Sequence, residues 1–259
     1  MNAFDIVQGG SPIILGQPHG GTFVPVEIAA KLNENGLMLA DTDWHIARLY
    51  DGLIPNLTVV RANFHRYVID ANRDPFGKSL YPGQNTTALV PLTDFDNLSI
   101  WNDAPDVVEI QRRIAQFHRP YHAALEAEIE RVKSIHGFAI VYDCHSIRSK
   151  IPFLFEGTLP ELNIGTENGA TCDLRVETSV FQIAKTSGLS CVLNGRFRGG
   201  WTTRHYGRPA QNVHAIQMEI TQSAYLEHEF APYAYSQTKA AKLRPVLADI
   251  LNALAEFKP

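Results

Sequence analysis

Two histidines close two apolar runs of the chain. His19 follows Pro12–Gln17 and precedes Gly20 and Gly21, and His145 follows Phe138–Asp143. An acidic pair, Asp41 and Asp43, lies between them in sequence, and a late segment, His214–Thr221, sets Glu219 among apolar neighbours. Two imidazoles and one carboxylate on rigid strand ends make a catalytic zinc site, with water in the open fourth position. Such donors converging in a cleft mark a binding site. The expected ligands are His19, Asp43 and His145, and the pattern points to a hydrolase. Iron, cobalt or manganese suits similar donors.

Each residue has a reading of its own. Gly20 and Gly21 permit a tight turn and close approach of a ligand to the backbone. Asp143 and His145 are two apart on a strand and share a face. Asp143 either orients the imidazole from behind or marks a strand end entering a polar loop. Carboxylates favour helix N-termini, so Asp41 is expected as a helix cap and Asp43 as the spare ligand. Glu27 is a rival oxygen donor, read as the solvated face of a first helix. In the late strand Ile216, Met218 and Ile220 share one face, and Ala215, Gln217, Glu219 and Thr221 the other. A buried carboxylate is costly unless paired or shifted in pKa. A general base beside activated water accounts for Glu219, and so does a salt bridge to an arginine.

Arg66, Arg73, Arg196, Arg198, Arg204 and Arg208 fall in two loop-like regions. The guanidinium fork matches a carboxylate, so a small acidic substrate is expected, with Arg66, Arg73 and Arg204 among its contacts. His205 either donates to a developing oxyanion or packs as a loop residue. No H-E-x-x-H, Walker loop, G-x-S-x-G or Rossmann glycine pattern occurs. Cys144 precedes His145 but points to the opposite face, which argues against a Cys–His dyad.

The elements that must position these residues alternate between strand and helix. Strands are expected at 11–17, 57–62, 66–70, 138–143, 189–193 and 213–221. Helices are expected at 26–35, 42–54, 105–135 with a kink at Pro120, 173–187 and 236–257. An irregular stretch from about 71 to 104 holds Tyr81 and Trp101 and is expected to be an ordered loop near the site. This alternation predicts an α/β fold, a three-layer α/β/α sandwich with a mixed, largely parallel sheet. Ligands of such sheets sit at the carboxyl ends of the strands. A single domain over 1–259 is expected.

Bulk properties narrow the function. The 259 residues are 45% hydrophobic and 19% charged, with a formal net charge of −4. No basic patch suits a phosphate backbone, so nucleic acid is not expected as a partner. No run reaches the roughly 18 apolar residues of a membrane span. The first ten residues carry no lysine, arginine or long apolar run, so no secretory signal is expected. Cys144, Cys172 and Cys191 form no C-x-x-C pair, and a reducing cytoplasm is the expected location.

Several segments together resemble the N-formylglutamate amidohydrolase family: 18–21, 41–44, 66–74, 80–83, 143–146, 199–207 and 217–220. The resemblance runs from about Pro12 to Tyr225. It implies a zinc-exopeptidase-like α/β/α fold and hydrolysis of N-formyl-L-glutamate, a step of histidine breakdown, to formate and the free amino acid. By similarity His19, Asp43 and His145 hold the metal, Glu219 is the base, and Asn72 with Arg73 grips a substrate carboxylate. The chain lacks the H-x-x-E motif of zinc carboxypeptidases, so Asp43 departs from their pattern. A broader N-acyl-amino-acid hydrolase would use the same chemistry in a roomier pocket, and Trp44, Trp101 or Trp201 near the metal would favour formyl. The non-enzyme reading is a metal-free binding protein for acidic ligands.

Overall fold

The computed structural model describes residues 2–78 and 83–259. Among them, seven strands form one sheet: β1 (Phe4–Val7), β2 (Ile13–Gln17), β3 (Thr58–Ala62), β4 (Ala139–Ile147), β5 (Leu162–Gly165), β6 (Cys191–Leu193) and β7 (Val213–Thr221). Their spatial order is β1-β3-β2-β4-β7-β5-β6. The central strands β3, β2, β4 and β7 are parallel, while β1 and the β5–β6 pair run against them. The helices are α1 (Val26–Ala29), α2 (Glu34–Leu37), α3 (Ile46–Tyr50), α4 (Val107–Arg113), α5 (Arg119–His136), α6 (Leu174–Thr186), α7 (Trp201–Tyr206) and α8 (Gln237–Ala255).

Strands β4 and β7 are buried along their whole length, as parallel strands covered on both faces must be. Ile140, Tyr142, Cys144, Ile216, Met218 and Ile220 join one core with residues of α3, α6 and α8. Val141 and Ala215 turn the other way, onto Tyr121, Leu125, Ile129 and Val132 of α5. Helices therefore cover both faces of the sheet, and the expected three-layer sandwich is present.

Connectivity places the site. The chain passes from β2 to its neighbour β3, then crosses back over β2 to reach β4 on the other side. This reversal opens a crevice beyond the carboxyl ends of β2 and β4. His19 lies two residues past the end of β2, and His145 lies near the end of β4.

Several expected elements differ. The helix at 26–35 is two short ones, because Asn33 starts a new turn by accepting from Gly36 N at 2.9 Å. The helix at 42–54 shrinks to Ile46–Tyr50. Residues 66–70 are a turn, not a strand: Val68 N donates to His65 O, and Tyr67, Val68 and Ile69 look strand-like because packing buries all three. The helix at 105–135 changes register through a π turn, Ile114–His118. That turn comes just before Pro120, whose ring clashes with the carbonyl four residues back in an unbroken α-helix. Strands β1 and β5 and helix α7 had no counterpart in the expectation. Tyr81 and most of the 80–83 segment fall outside the described residues. Among those residues no helix is long and apolar enough to cross a membrane.

Candidate metal centre

Close backbone contacts bring the parts together. A Cβ on Gly21 would lie 2.4 Å from the Asn63 backbone, so the turn after His19 needs a glycine to lie against the chain beyond β3. Asp43 N donates to His19 O at 3.1 Å. The Asp43 side chain then ties two segments: Oδ1 accepts from Arg66 Nη2 at 2.9 Å and Oδ2 from Ser146 N at 3.0 Å. Asp41 is not a helix cap. Its Oδ2 accepts from Tyr67 OH at 2.8 Å and Phe95 N at 3.0 Å, and His45, in a left-handed conformation, precedes α3 instead. Burial pushes the Asp41 carboxyl up to about 7.

His19, Asp43 and His145 are each at most 3% exposed and converge. The two Nδ1 atoms are 3.1 Å apart, and Asp43 Oδ2 lies 4.0 Å from that of His19 and 3.6 Å from that of His145. Ligands of a tetrahedral zinc with bonds of about 2.0–2.1 Å sit about 3.3 Å apart, so the triangle has the right size. The far ring nitrogens face carboxylates: His19 Nε2 is 2.7 Å from Asp70 Oδ1, and His145 Nε2 is 3.1 Å from Asp143 Oδ1. For His19 this is the carboxylate–histidine hydrogen bond that fixes a ligand's tautomer; Asp143 meets His145 as a close charged neighbour. With its proton on Nε2, His19 offers an Nδ1 lone pair beside the Asp43 oxygen and His145 Nδ1, three atoms close enough together to hold one cation.

The surroundings shift the two imidazoles in opposite directions. Burial, aided by Arg66, lowers His19 to about 4, keeping it neutral as a ligand must be. Burial also pulls His145 down, but Asp143 and Asp43 outweigh it and hold the ring well above its ordinary value. Burial opposes ionisation of Asp43, yet His145 and Arg66 hold it below the usual carboxylate range.

Glu219 completes the group. It pairs in register with His145 across β4 and β7, so both side chains leave the same face of the sheet. Burial raises its carboxyl to about 7. Its Oε2 accepts from Gln217 Nε2 at 3.0 Å, and Gln217 Oε1 in turn accepts from Gly200 N at 2.6 Å. Glu219 lines one cavity together with His19, His145, Arg66, Asn72 and Arg73.

A sequence profile of the N-formylglutamate amidohydrolase family matches residues 11–226. The chain belongs to this family. It is 43% identical over 251 residues to an N-formylglutamate deformylase of Pseudomonas putida, covering 95% of this chain and 93% of that protein. It is 41% identical to an N-formylglutamate deformylase of Pseudomonas aeruginosa, over 95% of this chain and 94% of the other. Two solved structures share the fold. One is an N-formylglutamate amidohydrolase from Ralstonia eutropha JMP134 (TM-score 0.80, 24% identity, 98% of each chain). The other is an Agrobacterium tumefaciens protein (TM-score 0.75, 19% identity, 98% of this chain and 95% of that one).

The arginines of this amidohydrolase-family chain are divided between tasks. Arg66 lines the cavity, and its Nη2 donates to Asp43 Oδ1, so part of its guanidinium holds the expected ligand. Arg73 also lines the cavity, donating to Thr87 O and Oγ1 at 2.9 and 2.8 Å and to Asn72 O at 2.9 Å. Asn72 Nδ2 lies 3.1 Å from His145 Nε2, while its Oδ1 accepts from Thr202 N at 2.8 Å. Arg204 does not line the cavity; it pairs with Glu167 at 2.7 Å. His205 is also absent from the cavity wall. Helix α7 puts Trp201 and His205 on one outward face, stacked with centroids 4.3 Å apart, and buries Thr202, Thr203 and Tyr206. None of Trp44, Trp101 and Trp201 lines the cavity; its aromatic wall is Phe95 and Phe197.

Some site residues had no place in the sequence reading. Asp70 lay in a presumed strand, although its spacing to Asn72 and Arg73 was visible. His118 and His122 fall inside the helix expected at 105–135 and were given no role. Their Nε2 atoms donate to the carbonyls of Arg73 (2.9 Å) and Ala71 (2.7 Å) and so clamp the segment bearing Asp70, Asn72 and Arg73.

Proposed function

We propose that this protein hydrolyses N-formyl-L-glutamate to formate and L-glutamate. The observation that carries the reading is the His19–Asp43–His145 triangle with Glu219 beside it, in a relative of named deformylases. Nitrogen and carboxylate donors in this number favour zinc, and other divalent ions accept the same set. When bound, such an ion acidifies water and polarises an acyl oxygen.

The protein's residues supply the rest. Asp70 holds the His19 imidazole in one tautomer, Asp143 places a negative charge against His145, and Arg66 holds the Asp43 carboxylate. Glu219 removes a proton from the attacking water as its oxygen joins the formyl carbon. It returns that proton to the amide nitrogen as the C–N bond breaks. Arg73 binds a substrate carboxylate and so fixes the amide over Glu219. The cysteines are free, with Cys144 and Cys172 buried, as suits a cytoplasmic enzyme, and the reaction fits a step of histidine breakdown.

The test is formate release from N-formyl-L-glutamate before and after chelation. We expect release from the metal-loaded protein, loss on chelation and recovery with zinc. No release from loaded protein refutes the substrate, and full activity after exhaustive chelation refutes the metal.

A further inference from the structure

The cavity contains another guanidinium that the mechanism above leaves unused. Arg196 lines the same cavity as Arg73. Its Nη2 donates to Asn85 O at 2.9 Å and its Nε to Leu154 O at 3.0 Å. Arg73 holds the same strip of chain two residues further on, through Thr87 O and Oγ1. Asn85 Nδ2 anchors the strip from behind by donating to Phe153 O at 2.7 Å. The two guanidinium groups thus bracket Asn85–Thr87. Two residues of chain span at most about 7 Å, so one short strip carries the contacts to both guanidinium groups.

The forks are not equivalent. Arg73 Nη1 is 3.7 Å from Asp70 Oδ2, and Asp70 holds His19, so Arg73 stands on the metal side. The α-carboxylate adjoins the scissile amide and belongs there. Arg196 stands among Leu154, Phe197 and Ile147, apolar walls suited to the methylenes of a side chain. We propose that Arg196 is the specificity-determining residue that receives the side-chain carboxylate of the substrate. This rests on the proposed deformylase reading and names the feature that selects an acidic side chain.

The test compares kcat/KM on N-formyl-L-glutamate and N-formyl-L-glutamine, which differ only in that charge. Charge-assisted hydrogen bonds are worth roughly 10- to 100-fold. We expect Arg196→Gln to lose about that factor on the glutamate substrate, mostly in KM, and to stay within about threefold of wild type on the glutamine substrate. Arg73→Gln should weaken both equally, since both carry the α-carboxylate. If Arg196→Gln melts early, Arg196→Met, which keeps the packing on Phe197, decides: a reduced preference for glutamate supports the assignment and an unchanged one overturns it. Equal losses on both substrates in a stably folded Arg196→Gln also overturn it. Wild type inactive on both substrates overturns the deformylase reading and this assignment with it.

Discussion

Asp70→Asn separates charge from geometry at the candidate centre. Asp70 is fully buried, and its Oδ1 accepts from His19 Nε2 at 2.7 Å and from Asn72 N at 2.8 Å. An asparagine has the same shape, and its amide oxygen can keep both bonds. What goes is the negative charge behind the imidazole. That charge is well established in the native protein: burial opposes it, but Arg73 and His19 hold the carboxyl well below its ordinary range. Such partners of metal-bound histidines typically account for about 10- to 100-fold in affinity, or about 1.4–2.7 kcal/mol. Zinc affinity should fall by that factor in a chelator-competition titration. The metal-free variant should also unfold at lower urea, since Arg73 at 3.7 Å and Arg66 at 4.0 Å lose a counter-charge. Affinity within twofold of wild type refutes the claim that Asp70 tunes a metal-bearing His19.

Glu219→Gln should still bind metal yet lose about 10²- to 10⁴-fold in kcat; turnover within fivefold of wild type removes it as the base. The pH profile has a definite sign. A carboxyl acts as a base only above its pKa, and burial raises that of Glu219 to about 7. A bound cation can only lower it, so kcat/KM should rise along an acid limb centred at or below about pH 7; a limb centred above pH 8 contradicts the assignment. His205→Ala, on the outer face of α7, should change kcat/KM by less than about twofold, and a tenfold loss would return it to the site. His122→Leu leaves the Ala71 carbonyl buried without its partner. It should cost about 1–3 kcal/mol in urea unfolding, and an unchanged midpoint excludes the clamp.

The parts of the fold legible in the sequence were those where one force dominates. The limits of β7 were readable because alternation and β-branching both mark Val213–Thr221. At Tyr67–Ile69 the same residue types fill a core without joining a ladder, so they imitated a strand. Strand β5 is four residues and includes Asn163 and Gly165, too short and too polar to announce itself. Helix α7 begins after two glycines, and only tertiary packing of Thr202, Thr203 and Tyr206 fixes it. At the site, His19 and His145 were expected from their places at the ends of apolar runs, Asp43 as the carboxylate left over from capping and Glu219 as a carboxylate among apolar neighbours, with the family resemblance supplying their roles. Which arginine meets which acid was not legible, since guanidinium partners depend on loop paths. Arg66 and Arg204 turned to Asp43 and Glu167 for that reason.

His145 and Glu219 stand on hydrogen-bonded strands deep in the sheet, whereas Arg73, Asn85–Thr87 and Arg196 stand on segments outside any helix or strand. On the proposed reading, one metal ligand and the base are carried by the sheet, while the arginines that meet the substrate are carried, with His19 and Asp43, by the connecting chain. Exchanges at Arg196 can then retune which amide is admitted while His145 and Glu219 stay fixed by the sheet. Descendants of this protein can diverge in diet without reinventing their blade.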